Sequence, residues 1–232
     1  MRRLLRISTM IAAVGLTSGA NANLLVNGGF ETPVVPGTGT AAVTSYAIGQ
    51  NISGWQVVGT SGVTSQVVSV LNSQYAENSG ALHFTSQEGN QHADLTGPFN
   101  QGRNGVQQTV ATVTGATYTL SFWVGNQTNS VLAYANASSV EFDVNGVNQG
   151  IFTNNNSLTS DVSWLNVTQT FVATGPTTTL AFFNVTPSSD NFAGLDNVDL
   201  TGAVAAIPEP VSASLLGLGM IALGALRRRR SI

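Results

Sequence analysis

Three stretches of the chain alternate apolar and polar side chains with a period of two, and this pattern limits the fold more than any other feature. The alternating stretches lie at residues 118–124, 140–144 and 165–171. Successive side chains of a β-strand point to opposite faces, so this period predicts strands with one face on a core. No long window between Asn23 and Ala206 has the 3.6-residue spacing of a helix.

Turn-forming residues separate these stretches. Asn145-Gly146 follows one of them directly, and this dipeptide accepts the positive φ angles of a type I′ turn, so it predicts a tight hairpin. Gly115 and Gly175-Pro176 mark two further turns. The sequence therefore predicts one all-β domain, an antiparallel β-sandwich over residues 23–201, followed by a linker of small residues at 202–207.

The start of the chain has the pattern of a secretory signal. Arg2, Arg3 and Arg6 form a basic region, an apolar stretch follows at residues 7–16, and Ala20-Asn21-Ala22 fits an A-x-A cleavage site. We expect a signal peptide over residues 1–22, with a signal helix and cleavage after Ala22. The protein is then exported.

The end of the chain has three parts in a fixed order. Pro208-Glu209-Pro210 comes first, an apolar stretch at 211–226 follows, and the chain closes with the basic cluster Arg227, Arg228, Arg229 and Arg230. As a helix, the apolar stretch would rise roughly 24 Å, enough to lodge in a bilayer. The arginines should then stay on the cytoplasmic side. We expect a transmembrane helix at 211–226.

This order resembles the PEP-CTERM sorting signal of Gram-negative bacteria, here at residues 208–232. The resemblance implies an exosortase-type membrane protease as a partner that cuts near Pro208-Glu209-Pro210. It also implies transient anchoring in the inner membrane, followed by release or attachment at the cell surface or in an extracellular biofilm matrix rich in exopolysaccharide.

The charge distribution excludes several functions. Only 8% of residues are charged, and between Glu31 and Asp199 ten acidic residues face one basic residue, Arg103, for a formal charge of −9. A nucleic-acid partner is excluded because binding phosphates needs a cationic surface. The chain contains no cysteine and no lysine, which excludes disulfides, thiolate metal sites and Schiff-base chemistry.

A second resemblance covers nearly the whole central segment. The motifs that carry it lie at residues 24–31, 52–55, 94–97, 105–109, 115–122 and 195–200. In this order they resemble the DUF642, or choice-of-anchor C, group, and the first and last motifs resemble carbohydrate-binding modules of the galactose-binding-like fold. The resemblance implies a jelly-roll sandwich and a glycan ligand, here a polysaccharide.

Glu31 and Asp196 are the candidate metal ligands. By strand parity Asp196 shares a face with Val198 and Leu200 and should point toward the core, where an unpaired carboxylate is costly. Calcium, which takes about six to eight oxygen ligands, would neutralise such a site. Related sugar-binding modules place a structural calcium where the opening Glu and closing Asp meet, which implies the same for Glu31 and Asp196. The alternative is that both carboxylates accept backbone N–H hydrogen bonds.

The candidate carbohydrate-binding residues are Trp123, Trp164, Glu141 and Asp143. Each lies on the outward side of its predicted strand, opposite the aliphatic residues. Aromatic rings stack on the apolar faces of sugars, and carboxylates accept hydrogen bonds from hydroxyls. The alternative is that the tryptophans pack against a sheet edge or beneath a loop.

No arrangement of residues indicates catalysis. His83 and His92, the two histidines, fit no zinc signature, and no Gly-x-Ser-x-Gly motif occurs. We therefore expect a non-enzymatic protein that binds polysaccharide. A structural matrix protein without a specific ligand and a glycoside hydrolase or esterase are the alternatives.

Overall fold

The computed structural model describes residues 22–59, 66–129, 134, 137–156, 158, 160–187 and 192–203. Apart from Ala22, the predicted signal peptide lies outside the described residues, and so do Pro208-Glu209-Pro210, the helix at 211–226 and the arginine cluster. In the part of the chain that is described, no helix is long and apolar enough to cross a membrane.

Fourteen strands form the described part of the molecule, together with short 3₁₀ turns and no α-helix. The strands are β1 (Val43–Ala47), β2 (Asn51–Ile52), β3 (Trp55–Gly59), β4 (Gln66–Asn72), β5 (Ala76–Glu77), β6 (Leu82–His83), β7 (Gln91–Asp94), β8 (Asn104–Ala111), β9 (Thr117–Asn126), β10 (Ser138–Val144), β11 (Val147–Asn154), β12 (Ser163–Val172), β13 (Thr177–Asn184) and β14 (Gly194–Gly202).

Twelve of these strands form two antiparallel sheets of six. Sheet A has the order β1-β4-β7-β14-β9-β12, and sheet B has the order β11-β10-β13-β8-β3-β2. The remaining strands, β5 and β6, pair with each other as a small hairpin. The neighbours in each sheet are mostly not consecutive in sequence, as expected of a jelly roll. The predicted all-β, antiparallel sandwich is confirmed.

The core lies between the two sheets. Tyr118, Leu120, Phe122 and Val124 on β9 are fully buried, as their alternation predicts. Phe122 meets Phe182 of sheet B edge to face, with ring centroids 5.0 Å apart. Each such side chain contributes about 1.5–3 kcal/mol through burial, so this inner layer is the main source of stability.

The predicted hairpin between β10 and β11 is also confirmed. Val144 pairs with Val147 across the turn, and the intervening Asn145 and Gly146 have φ angles of 52° and 76°. Both angles lie in the left-handed region that a type I′ turn requires.

The opening segment of the domain runs beside its last strand. The Leu24 amide donates to the Leu200 carbonyl (2.9 Å), and the Val198 amide donates to the Gly28 carbonyl (3.0 Å). A Cβ on Gly28 would lie 2.0 Å from the Val198 carbonyl oxygen, so only glycine allows this approach. The two terminal motifs of the domain therefore meet in space.

The outer face of sheet A is itself covered. The β5–β6 hairpin and the segment after it pack on this face and bury a second, smaller apolar cluster, formed by Leu71, Leu82, Phe84, Val162 and Phe192. Outward-pointing residues of sheet A are consequently partly interior, among them Asp196 and Trp164.

Candidate functional site

Asp196 does not point toward the main core, and the parity prediction for it is wrong. Asp196 pairs directly with Trp123 of β9, whereas Leu195 pairs with the inward-facing Val124. Directly opposite residues share a face, so Asp196 lies on the outer face of sheet A. The register of β14 then shifts at Asn197, a bulge residue with a φ of 44°, which returns Val198 to the core. One inserted residue reverses the parity.

Asp196 is nevertheless fully buried, because the segment after β6 covers it. One carboxylate oxygen accepts the backbone amides of Gln87 (2.8 Å) and Glu88 (3.2 Å), and the other accepts the amide of Asn197 (2.7 Å). Burial raises the pKa of Asp196 to about 7 and the charge of Glu31 adds to the rise, although the backbone donors oppose it.

Glu31 lies beside Asp196. Its Oε1 accepts the backbone amides of Asn90 (2.8 Å) and Gln91 (2.9 Å) at the start of β7. A Cβ built on Gly29 would lie 3.8 Å from both the Asp196 Oδ1 and the Glu31 Cγ, so the two side chains flank one point. Gly89, with a φ of 65°, lets the backbone pass this carboxylate, since a Cβ there would lie 2.3 Å from Oε1.

These residues fit a hard cation by the chemistry of their donors. Glu31, Glu88 and Asn197 line a cavity of ≈ 280 Å³, and all of them supply oxygen atoms. A buried carboxyl with a raised pKa beside a second carboxylate is the environment that a cation would relieve. Among the described residues no group of three or more His, Asp or Glu side chains could hold a metal, so backbone carbonyls, amide oxygens or waters would have to complete the shell.

Trp164 packs beneath a loop. Its indole N–H donates to the Thr85 carbonyl (3.1 Å), and its ring meets His92 edge to face at 5.4 Å. The ring covers Gly125 so closely that a Cβ there would lie 2.8 Å from it. Trp123 shares this outer face of sheet A and is half-buried beside Asp196.

Glu141 and Asp143 lie on the outer face of sheet B, where Arg103 bridges them. One guanidinium nitrogen, Nη2, donates to both carboxylates at 2.8 Å, and the guanidinium carbon lies 3.6 Å from the centroid of the Phe183 ring. Arg103 lowers the pKa of Glu141, whereas burial and the charge of Glu141 raise that of Asp143. The sequence shows the charges but not this contact.

The structure therefore divides the four predicted carbohydrate-binding residues between two sheets. Trp123 and Trp164 belong to sheet A, and Glu141 belongs with Asp143 to sheet B, on the opposite side of the sandwich. These two pairs cannot line one binding site. The predicted role of either pair alone stays a prediction.

A different pocket, which the sequence did not reveal, lies at the other end of the outer face of sheet A. It has a volume of ≈ 340 Å³ and opens between sheet A, the β5–β6 hairpin and Tyr134. We call it the aromatic-acidic pocket. Its lining consists of Val43, Ser45, Ser69, Leu71, Tyr75, Glu77, Phe84, Asp94, Gly97, Pro98, Tyr134 and Phe192.

The aromatic walls of this pocket stand at steep angles to one another. The Phe84 ring meets Tyr75 at 5.2 Å and 76°, and it meets Tyr134 at 5.5 Å and 61°. Tyr75 and Tyr134 each donate a hydroxyl hydrogen bond to Glu77, at 2.6 Å and 2.8 Å, one to each carboxylate oxygen. Burial raises the pKa of both phenols, and the charge of Glu77 adds to it.

Asp94 forms the floor of the pocket. It sits on β7 with its side chain on the outer face, opposite Ser69 of β4. Its Oδ1 accepts the backbone amides of Thr96 (3.0 Å) and Ala193 (3.1 Å), which fix its orientation. The one available sequence signal was the spacing of Tyr75 and Glu77, which places both side chains on one face of an extended segment.

The fold is similar to that of a cyclase from Fischerella sp. TAU, solved in complex with 4-(1H-indol-3-yl)butan-2-one. The TM-score is 0.51 at 21% identity, over 82% of this chain and 100% of that chain. A xylan-binding domain from Paenibacillus barcinonensis gives a TM-score of 0.42 at 18% identity, over 81% of this chain and 100% of that domain. TmCBM61, solved with β-1,4-galactotriose, gives 0.41 at 15% identity, over 78% and 99%.

At these identities the similarity to the cyclase is one of fold alone. The chain matches no family model. It also matches no curated protein, so the two family resemblances stay predictions.

Proposed function

We propose that this chain is an exported, non-catalytic β-sandwich protein that binds a polysaccharide through the aromatic-acidic pocket. The observation that carries the proposal is the combination of rings and carboxylates on one concave surface, with Tyr75, Phe84 and Tyr134 as walls and Glu77 and Asp94 as acceptors. Sugars present apolar C–H faces and hydroxyl edges, and this pocket offers a partner for each.

The size and order of the pocket support the proposal. A volume of ≈ 340 Å³ suits one or two sugar units of a longer chain. Its polar groups are held in place, since the two tyrosine hydroxyls and the Glu77 carboxylate fix one another. Ordered polar groups cost little further entropy on binding.

A glycan array followed by calorimetry tests this proposal. Tyr134→Ala removes one wall and should abolish binding of any glycan that the unmodified protein retains, while Trp123→Ala should leave it unchanged. Loss of binding in Trp123→Ala alone would move the site to the tryptophan side of the same face. Absence of any glycan affinity would favour a structural matrix protein.

Export and sorting form a second part of the proposal, supported by the two ends of the sequence. Arg2, Arg3, Arg6 and Ala20-Asn21-Ala22 would direct export, and Pro208-Glu209-Pro210 would be the processing motif of an exosortase-type protease. Replacing Pro208 and Pro210 together should leave the protein in the membrane fraction. Release at the unmodified rate would contradict exosortase-type processing.

We also propose a structural calcium ion beside Glu31 and Asp196. The ion would neutralise the buried carboxylates and link the opening segment to β14, which already run side by side. The chemistry that it would supply is electrostatic, with no role in a reaction.

A further inference from the structure

We propose that the aromatic-acidic pocket selects an amino sugar, that is, a glycan unit with a free ammonium group in place of a hydroxyl or an acetamido group. This inference rests on the proposed carbohydrate function and narrows its ligand class. It draws on three properties of the pocket: its charge, its aromatic walls and its supply of hydrogen-bond acceptors.

The charge of the lining is negative. Glu77 and Asp94 both line the pocket, and none of the lining residues is basic. The chain has no lysine, and Arg103, the sole arginine among the described residues, lies on the outer face of sheet B in salt bridges with Glu141 and Asp143. In a partly desolvated cavity such a charge strongly favours a cationic ligand and disfavours an anionic one.

The aromatic walls add a second attraction for a cation. An ammonium group within about 6 Å of a ring centroid is attracted to the electron-rich face of the ring. Phe84 stands nearly perpendicular to Tyr75 and steeply to Tyr134, so the three rings enclose a corner. Glu77 lies at the edge of this corner because both tyrosine hydroxyls are bonded to it.

The hydrogen-bond inventory points the same way. The hydroxyls of Tyr75 and Tyr134 use their hydrogens on Glu77, and the hydrogen bond of 2.7 Å between Ser45 and Ser69 uses one of their two hydroxyl hydrogens. The pocket therefore presents mainly acceptors, and each Glu77 oxygen keeps a further lone pair. An ammonium group is a donor of three hydrogen bonds with no acceptor, whereas an acetamido group brings a carbonyl acceptor and a uronate brings a carboxylate.

Calorimetry on the full-length protein with three oligosaccharides of equal length tests the inference. The probes are an oligomer of glucosamine, an oligomer of N-acetylglucosamine and an oligomer of galacturonic acid. We expect the glucosamine oligomer to bind at least about tenfold more tightly than either of the others. We also expect this preference to shrink as salt is raised, because salt screens charge–charge attraction more than ring stacking.

Glu77→Gln is the diagnostic variant, since it removes the charge and keeps the shape of the side chain. It should lose most of the preference for glucosamine, while Asp199→Asn, which removes an equal charge on β14 outside the pocket, should keep it. The salt dependence of the unmodified protein gives a readout that needs no variant to fold.

The possible results separate the inference from the proposal beneath it. Equal binding of the acetylated and free amino oligomers, or tighter binding of the uronate, would overturn the selection of amino sugars and leave carbohydrate binding standing. Failure of all three probes, together with an empty array of neutral glycans, would overturn both.

Discussion

Asp196 and Trp123 lie directly opposite each other on β14 and β9, on the outer face of sheet A. The bulge at Asn197 makes this possible, because it places Asp196 outward while Leu195 and Val198 both stay in the core. The carboxylate is thus buried against the loop at Gln87 and not against the centre of the sandwich. The neighbouring cavity is lined by Glu31, Glu88 and Asn197, and an ion bound there would act on the Asp196 carboxylate through its charge.

The first prediction concerns calcium at this position. After chelation, added calcium should raise the melting temperature of the protein, with about 2.7 kcal/mol of stabilisation at a concentration one hundred times the dissociation constant. Asp196→Asn should abolish the rise because the amide is neutral. Asp199→Asn, on the same strand, should retain it. If added calcium produced neither heat in calorimetry nor a melting shift in the unmodified protein, the carboxylates would serve only as acceptors of backbone hydrogen bonds.

The second prediction concerns pH and His92. Burial lowers the pKa of His92 to about 3, against about 6.5 in an unfolded chain. The folded state then holds neutral His92, so its contribution to stability is complete above pH 6.5 and is lost as the pH falls toward 3. Each pH unit below 6.5 should cost about 1.4 kcal/mol.

Urea denaturation of the unmodified protein and of His92→Gln at pH 7 and pH 4.5 measures the pH-dependent contribution of His92 to the free energy of unfolding. The fall in unfolding free energy between these values should be smaller in the variant by about 2–3 kcal/mol. The comparison must be made between the two proteins, because Asp196, whose pKa is raised to about 7, changes stability in the opposite direction over the same range. Equal pH profiles would show that the pKa of His92 is the same in the folded and the unfolded chain, and would contradict its lowering by burial.

The sandwich could be predicted from the sequence because the alternation along a strand and the residues that form a turn depend only on neighbours in the sequence. The alternation of β9 and the Asn145-Gly146 turn both appear in the structure as expected. The prediction that Asp196 points toward the core was wrong because a β-bulge depends on pairing with a neighbouring strand. The bulge does not change the alternation of the residues that precede it. Asn197, which tolerates a positive φ, was the one residue that could have signalled it.

The aromatic-acidic pocket could not be predicted because its walls come from separated parts of the chain. Tyr75 and Glu77 lie at the β5–β6 hairpin, Asp94 lies on β7, and Tyr134 is nearly 60 positions from Glu77. Only the packing of the hairpin on sheet A brings them together. The surroundings of Trp164 and Glu141 could not be predicted either. Alternation places both side chains on an outward face, but it does not show that a loop covers Trp164 or that Arg103 contacts Glu141.

The third prediction assigns a packing role to Trp164. Trp164→Ala should cost about 3 kcal/mol of stability, because it opens a cavity over Gly125 and removes the hydrogen bond to Thr85. Trp164→Phe should cost less, about 1–2 kcal/mol, since it keeps a ring and loses the N–H donor. Denaturant titration gives both values. A Trp164→Ala variant of unchanged stability that loses glycan binding would instead support the predicted ligand role.

The last prediction concerns the ion cluster on sheet B. Glu141 and Asp143 are 9% and 5% exposed, so Arg103→Met, which keeps the aliphatic stem, would leave two buried carboxylates without their cation. We expect a loss of about 2–3 kcal/mol at pH 7, below the full cost of breaking a buried pair because the Arg103 side chain is 42% exposed. Since Arg103 lowers the pKa of Glu141, this contribution is present above the unfolded carboxyl pKa and should fade as the pH drops below about 4.

Adding Glu141→Gln and Asp143→Asn to Arg103→Met should restore part of the loss, because neutral amides tolerate burial better than unpaired charges. A cost under about 0.5 kcal/mol with no rescue would place this cluster among ordinary surface ion pairs.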